Sequence, residues 1–148
     1  MDTIKIRFAD DIEASASGLE RTAEDMLRGL SPVFNLTERC WKPQMDMNET
    51  AEQIIIAAEV AGVDKEDLEV EISSRALRIR ARRNPRCGNP DAIYRLAEIQ
   101  YGNFERVLFF PAPVDPEIVS ASYTNGVLEI RLVKQPLGRI RKIPVTEG

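Results

Sequence analysis

The sequence predicts an all-β fold, an antiparallel β-sandwich flanked by an N-terminal arm and a C-terminal tail. Roughly six to eight short apolar or alternating segments lie between residues 41 and 135, and Gly, Pro and Asn separate them at close intervals. Helical segments do not alternate with these strands, which argues against a parallel α/β fold. We therefore predict an arm at 1–40, a β-domain at 41–135 and a tail at 136–148.

The arm combines a short strand with an amphipathic helix. Apolar and basic residues alternate over 4–8, which is a strand pattern. Ser17 and Glu20 form a capping box, so a helix is expected at 18–30, before Ser31-Pro32. Its apolar stripe packs either on its own domain or on other proteins, and its place outside the β-rich region favours the second. The candidates for assembly or client contact are Leu19, Met26, Leu27, Leu30 and Phe34.

The β-domain shows sequence patterns typical of several strands, taken here in chain order. Strands are predicted at 53–60, 68–72 and 77–82, the last two with one apolar and one charged face. A loop rich in chain breakers occupies 83–92, and a short strand is expected at 93–99. Further strands are predicted at 104–110, 119–123 and 127–132. The Asn125-Gly126 pair between the last two is a strong hairpin signal, because both residues tolerate positive φ.

Composition argues against several classes of function. A net charge of −4 disfavours general nucleic-acid binding, and the absence of histidine removes the commonest general base and metal ligand. Cys40 and Cys87 are too few for a four-thiolate zinc site. The chain start lacks a signal-peptide pattern and no apolar run reaches transmembrane length. We expect a cytoplasmic protein with free thiols, no metal, no cofactor and no membrane span.

Two charged features have competing interpretations. Glu69 and Glu71 share one strand face, where a carboxylate pair could serve acid–base catalysis, but solvated charge is the ordinary role of such a face. Arg78, Arg80 and Arg82 also alternate along one face. Because no aromatic residues interleave with them to stack bases, we expect them to pair with carboxylates, within or between subunits.

Five segments, in order and at matching spacing, resemble the α-crystallin domain of the small heat-shock proteins. They are 41–50 (WKPQMDMNET), 60–68 (VAGVDKEDL), 101–106 (YGNFER), 125–130 (NGVLEI) and 143–145 (IPV). Ala61 replaces the proline usual in the second segment, and Ile99 stands where an arginine often precedes Tyr-Gly. These departures affect a local turn and one polar contact. The resemblance implies an immunoglobulin-like sandwich over 41–135.

The resemblance also implies a function. Such proteins are ATP-independent holdases that bind partly unfolded client proteins, which ATP-dependent chaperones later refold. The 83–101 segment resembles a loop that subunits exchange in a strand-swapped dimer, and Arg106 lies in a dimer-proximal motif where an intersubunit charge contact is expected. The dimer-interface candidates are Ile93, Tyr94, Leu96, Glu98 and Arg106.

The tail and the arm carry apolar pairs of equal spacing. Ile143 and Val145 are two residues apart, so in an extended tail both point the same way and form a candidate oligomer anchor. Ile4 and Ile6 have the same spacing and are candidates for the same groove. The alternatives are a disordered tail and, for the arm, an edge strand or disorder.

Two other functions remain open from the sequence. A non-enzymatic co-chaperone or adaptor would use the same sandwich without a large assembly, and the tail pair argues against it. A thiol-dependent enzyme would use Cys87, but no histidine is present to activate the thiol.

Overall fold

The computed structural model describes residues 3–9, 12, 41–86, 88–136 and 143–147. The strands within these ranges are β1 (Lys5–Phe8), β2 (Met45–Glu49), β3 (Gln53–Glu59), β4 (Glu69–Ile72), β5 (Ala76–Arg83), β6 (Gly102–Phe109), β7 (Val114–Thr124) and β8 (Val127–Lys134). A 3₁₀ turn, Lys65–Asp67, precedes β4. The helix expected at 18–30 lies outside the described residues.

The strands form two four-stranded sheets. One has the order β1-β4-β5-β6 and the other the order β2-β3-β8-β7. Every pairing is antiparallel except that of β1 with β4, which is parallel. The predicted all-β antiparallel sandwich is confirmed, and it gains one strand from the N-terminal arm.

The core is aliphatic and follows the alternation of the strands. Most of its largest fully buried side chains come from β3, β4, β5 and β8, where inward-facing residues alternate with outward-facing ones. They include Ile54, Ile56, Val70, Ile72, Leu77, Ile79, Leu128, Ile130 and Leu132. Burying each such side chain contributes about 1.5–3 kcal/mol. This face-to-face packing holds the two sheets together and leaves loops and edges for binding.

The Asn-Gly hairpin predicted between the last two strands is confirmed. Asn125 and Gly126 have φ values of 54° and 80°, as a turn with two positive φ angles requires. Gly126 also packs closely on the turn after β3, because an added Cβ would lie 2.7 Å from the Cβ of Ala61. The Val60 amide donates to the Gly126 carbonyl at 2.8 Å. Ala61, which replaces the usual proline, thus lies directly against this hairpin.

Three elements differ from the expectation. Residues 93–99 form no strand in the single chain, because a strand needs a neighbouring backbone and the described residues supply none there. The strand β2 was not among the predicted segments, although Met45 and Met47 alternate with polar residues. The strand β7 begins at Val114 rather than 119, and its register shifts between Val114 and Val119, next to Pro116. Proline is tolerated there because β7 is an outer strand.

Candidate interaction surfaces

The loop between β5 and β6 carries the most exposed large apolar side chains among the described residues of the sandwich. Ile93 and Leu96 keep 75% and 74% of their surface in water, and Tyr94 and Ile99 are also exposed. Glu98 is exposed beside them. Clustered exposure of large aliphatic and aromatic side chains is typical of a protein-binding surface. Cys87, in the same loop, lies outside the described residues.

Arg83 closes the base of this loop. It is the last residue of β5, and its guanidinium donates from Nε (2.8 Å) and Nη2 to the carbonyl of Gln100, just before β6. A third donor, Nη1, reaches the carbonyl of Ala61 at 3.1 Å. The guanidinium also lies 3.8 Å from the centroid of the Trp41 ring, a cation–π contact. One side chain thus joins both ends of the loop to the turn after β3 and to Trp41.

Trp41 attaches the start of the domain to β6. Its indole nitrogen donates to the Gly102 carbonyl at 3.1 Å, and its ring meets Phe104 edge-on at 4.8 Å. Trp41 and Arg83 line an open cleft of about 670 Å³ together with Glu59, Gly62, Glu98 and Tyr101. The cleft offers aromatic faces and a fixed cation to a peptide or side chain.

Sequence reasoning missed the role of Arg83. Its only signal was a basic residue at the boundary between a strand and a loop. The carbonyls it binds belong to residues 17 and 22 positions away in the chain, so no local pattern indicates them.

The charged face of the β4-β5-β6 sheet is internally paired. Glu71, itself nearly buried, accepts hydrogen bonds from Arg78 at 2.8 Å and from Arg80 at 2.7 Å. Arg78 also reaches Glu105 at 3.2 Å. The expected pairing of strand arginines with carboxylates is confirmed within the chain for Arg78 and Arg80. Arg82 instead donates from Nε to the side-chain oxygen of Asn84 at 3.0 Å. Glu71 therefore serves as a structural acceptor for two guanidinium groups.

Arg106, the expected intersubunit contact, makes an intrachain bond. Its Nη1 donates to the Pro43 carbonyl at 2.9 Å, and the side chain is partly buried. This contact fixes the segment before β2 against β6. An intersubunit role for Arg106 stays a prediction.

The tail pair is open to solvent. Ile143 and Val145 keep 79% and 88% of their surface exposed, and residues 143–147 have no regular secondary structure. An aliphatic pair in this state is available to a partner surface. Whether that surface belongs to another subunit stays a prediction.

The N-terminal pair is placed differently. Ile4 and Ile6 are partly buried and pack against the core, whereas Lys5 and Arg7 on the same segment are exposed. Ile6 pairs with Val70 in the register of β1 on β4. The helix candidates Leu19, Met26, Leu27, Leu30 and Phe34 lie outside the described residues.

The described part of the chain contains neither a membrane-spanning helix nor a cluster of metal-binding side chains. No helix there is long and apolar enough to cross a membrane. No group of three or more Cys, Asp or Glu side chains in the same ranges is arranged to hold a metal ion.

Comparison with known proteins identifies the family. Residues 46–146 match the Hsp20/alpha crystallin family. A small heat shock protein C2 of Rickettsia felis is 28% identical over 114 residues, which cover 77% of this chain and 74% of that protein. The chain therefore belongs to the Hsp20/alpha crystallin family, the small heat shock proteins.

Solved structures agree with this assignment. A small heat-shock protein from Xylella fastidiosa is 29% identical, with a TM-score of 0.61 over 72% of this chain and 98% of that one. Heat shock protein 16.0 from Schizosaccharomyces pombe is 26% identical, also with a TM-score of 0.61, over 72% of this chain and 99% of that one. These likenesses establish the α-crystallin β-sandwich as the fold of this chain.

Proposed function

We propose that this protein is an ATP-independent holdase that binds partly unfolded proteins in the cytoplasm and prevents their aggregation. The observation that carries the proposal is a well-packed sandwich whose loop and tail nevertheless expose large apolar side chains. A protein that holds clients needs such surfaces and needs no catalytic group. Clients released from it would pass to ATP-dependent chaperones.

The loop supports a dimer made by strand exchange. Residues 93–99 pair with no strand among the residues that the structure describes, and β2 is an outer strand of its sheet. Pairing the loop of one subunit with an outer strand of another would satisfy both backbones and bury Ile93 and Leu96. We propose this exchanged strand, with Ile93, Tyr94, Leu96 and Glu98, as the dimer contact.

The tail supports assembly of dimers into larger oligomers. Full burial of Ile143 and Val145 would contribute at most about 3–6 kcal/mol, before the cost of ordering the tail. One such contact is weak and reversible, but many in a closed assembly reinforce each other through effective concentration. The related Xylella fastidiosa protein is described as having a distinct high order structure. The N-terminal helix, with Leu19, Met26, Leu27, Leu30 and Phe34, is proposed as the main client surface.

The proposal is tested by native mass and by suppression of client aggregation on the same samples. The full chain should form an oligomer and should reduce light scattering of a heated client without nucleotide. Ile143→Ala with Val145→Ala, and a truncation after Gln135, should reduce the mass toward dimers because the anchor is lost.

Thr146→Ala with Glu147→Ala is the matched control, since it changes the same tail stretch but keeps the apolar pair. It should leave the mass unchanged. An oligomer of unaltered mass in the Ile143/Val145 variant would exclude the anchor. Client aggregation that proceeds equally with and without the full chain would exclude the holdase, and would leave the adaptor as the better hypothesis.

A further inference from the structure

The turn between β7 and β8 places an asparagine immediately before a backbone nitrogen that no side chain shields. Asn125 is exposed, and Gly126 follows it as the second residue of the turn. Among the described residues, no hydrogen-bond partner holds the Asn125 side-chain amide or the Gly126 N–H. The Gly126 nitrogen and Cγ of Asn125 can therefore react once the backbone lets them meet.

The other described asparagines lack this combination. Asn84 and Asn89 each precede a proline, which has no N–H to deprotonate. Asn48 and Asn103 lie within β2 and β6, where they precede a glutamate and a phenylalanine. These larger side chains crowd the following nitrogen, and strand pairing fixes its backbone. Asn125 is thus the described asparagine best placed for reaction with its own main chain.

We propose that Asn125 is a site of spontaneous deamidation and that the folded turn protects it, so that conversion proceeds only while the hairpin is open. In the reaction the Gly126 nitrogen loses its proton to water and bonds to Cγ of Asn125. The Cγ–Nδ2 bond breaks, and the NH2 group takes a proton from water and leaves as ammonia. Water then opens the succinimide ring at Cγ, which gives aspartate, or at the Asn125 main-chain carbonyl carbon, which gives isoaspartate.

Ring closure requires the peptide between Asn125 and Gly126 to rotate. The five ring atoms must lie nearly in one plane, so the Gly126 nitrogen has to come level with Cβ and Cγ of Asn125. The left-handed backbone of Asn125, with a φ of 54°, turns that nitrogen away from the side chain instead. The native turn is therefore the wrong conformation for the reaction.

Three contacts hold the turn against this rotation. The Gly126 carbonyl accepts a hydrogen bond from the Val60 N–H at 2.8 Å, and an added Cβ on Gly126 would lie 2.7 Å from that of Ala61. The Tyr123 hydroxyl, 2.8 Å from the Val60 carbonyl, holds the end of β7 to the same place. The reaction thus starts from a locally opened hairpin, and such openings become more frequent on heating.

The two products differ in their effect on the turn. Aspartate keeps the main chain unchanged and tolerates the left-handed conformation. Isoaspartate adds a methylene to the main chain of a two-residue loop, which then no longer matches the pairing of Thr124 with Val127. A chain converted to isoaspartate cannot restore the native hairpin, so it stays altered after heating has ended.

The test follows conversion at Asn125 in the full chain by mass spectrometry, until the folded wild type has converted measurably. Trypsin releases residues 107–131 as one peptide, in which an OH group replaces an NH2 group. Tyr123→Phe should raise the rate in the folded chain about 5–30-fold, because a lost hydrogen bond shifts the opening equilibrium by about that factor. In urea above the unfolding midpoint, both chains should convert at one rate, which is faster than either rate in the folded state.

Ser122→Ala is the matched control, since Ser122 is the exposed neighbour of Tyr123 on β7. Its folded chain should convert within about twofold of the wild-type rate, because an exposed substitution changes stability little. Asn84 and Asn89 are internal controls without a nucleophile in the same digests. Circular dichroism checks that both variants are folded.

Two results would contradict the inference at different points. Equal rates for the folded and the unfolded wild type, or for the folded Tyr123→Phe and wild-type chains, would exclude protection by the turn. Conversion in urea that is no faster at Asn125 than at Asn48 or Asn103 would exclude Asn125 as a preferred site.

Discussion

At the scale of single residues, Tyr123 connects two parts of the chain that lie far apart in sequence. Its hydroxyl lies 2.8 Å from the carbonyl of Val60 and 2.9 Å from that of Val63, so its hydrogen is shared between both acceptors. Tyr123 leads into the hairpin, and the two acceptors flank the turn after β3. The phenol thus holds this turn against the hairpin.

Replacing Tyr123 with Phe should lower the free energy of unfolding by about 1–2 kcal/mol, because it removes the donor and leaves two carbonyls without it. Urea unfolding followed by circular dichroism measures the change. Ser122→Ala is the control, since Ser122 neighbours Tyr123 on β7 and is exposed, and it should be neutral. An unchanged midpoint for Tyr123→Phe would show that the hydroxyl contributes nothing to stability.

The same hydroxyl gives a pH dependence. Burial raises the pKa of Tyr123 above the usual value of about 10, because a phenolate there would lose hydration. With the folded pKa above the unfolded one, the contribution to stability is complete below pH about 10 and is lost as pH rises through the folded pKa. The Tyr123→Phe variant should therefore show a flatter alkaline loss of stability than the wild type.

At the scale of elements, the strands were predicted well wherever they alternate or run apolar. The predicted 53–60, 68–72, 77–82 and 127–132 segments coincide closely with β3, β4, β5 and β8. These are the strands that fill the core, so burial determines their pattern directly. The outer strand β2 was missed and the outer strand β7 is longer than predicted, because outer strands bury less and constrain their residues less.

Arg83 holds the base of the loop between β5 and β6, and no local sequence pattern indicates its bonding partners. Arg83→Ala should release the base of the loop, because it removes charged donors to Gln100 and Ala61. We expect the free energy of unfolding to fall by about 1–3 kcal/mol and hydrogen exchange to increase at residues 100–103. The single tryptophan, Trp41, reports the change by fluorescence, since the guanidinium covers its ring.

Arg82→Ala is the control for this prediction. Arg82 also lies at the end of β5, but its guanidinium contacts only the nearby side chain of Asn84 among the contacts described. Arg83→Lys should restore little, because an ammonium lacks the planar fork that spans two carbonyls. Equal effects of the Arg82 and Arg83 variants would contradict a specific role for Arg83.

At the scale of the whole molecule, the exposed loop determines the expected dimer. In the Ile143→Ala, Val145→Ala chain, where dimers are expected, adding Ile93→Ser and Leu96→Ser should produce monomers. The two apolar side chains would no longer gain from burial in a partner, at about 1.5–3 kcal/mol each. Light scattering or native mass spectrometry gives the answer.

Arg95→Ser is the matched control, because Arg95 lies in the same exposed loop and is polar already. Its variant should remain dimeric. A dimer that persists with serine at both apolar positions would place the subunit contact elsewhere, for example on an outer strand such as β6.

The sequence alone determined the fold class, the order of the core strands, the Asn125-Gly126 hairpin and the family, because alternation, turn chemistry and spaced motifs are local properties of the chain. The tertiary structure decided that β1 lies on the edge of β4, that Arg83 joins the loop base to Trp41, and that Tyr123 holds the turn after β3. Each of these depends on residues brought together from distant positions. Such contacts arise only when the two sheets pack, and packing is a property of the whole chain.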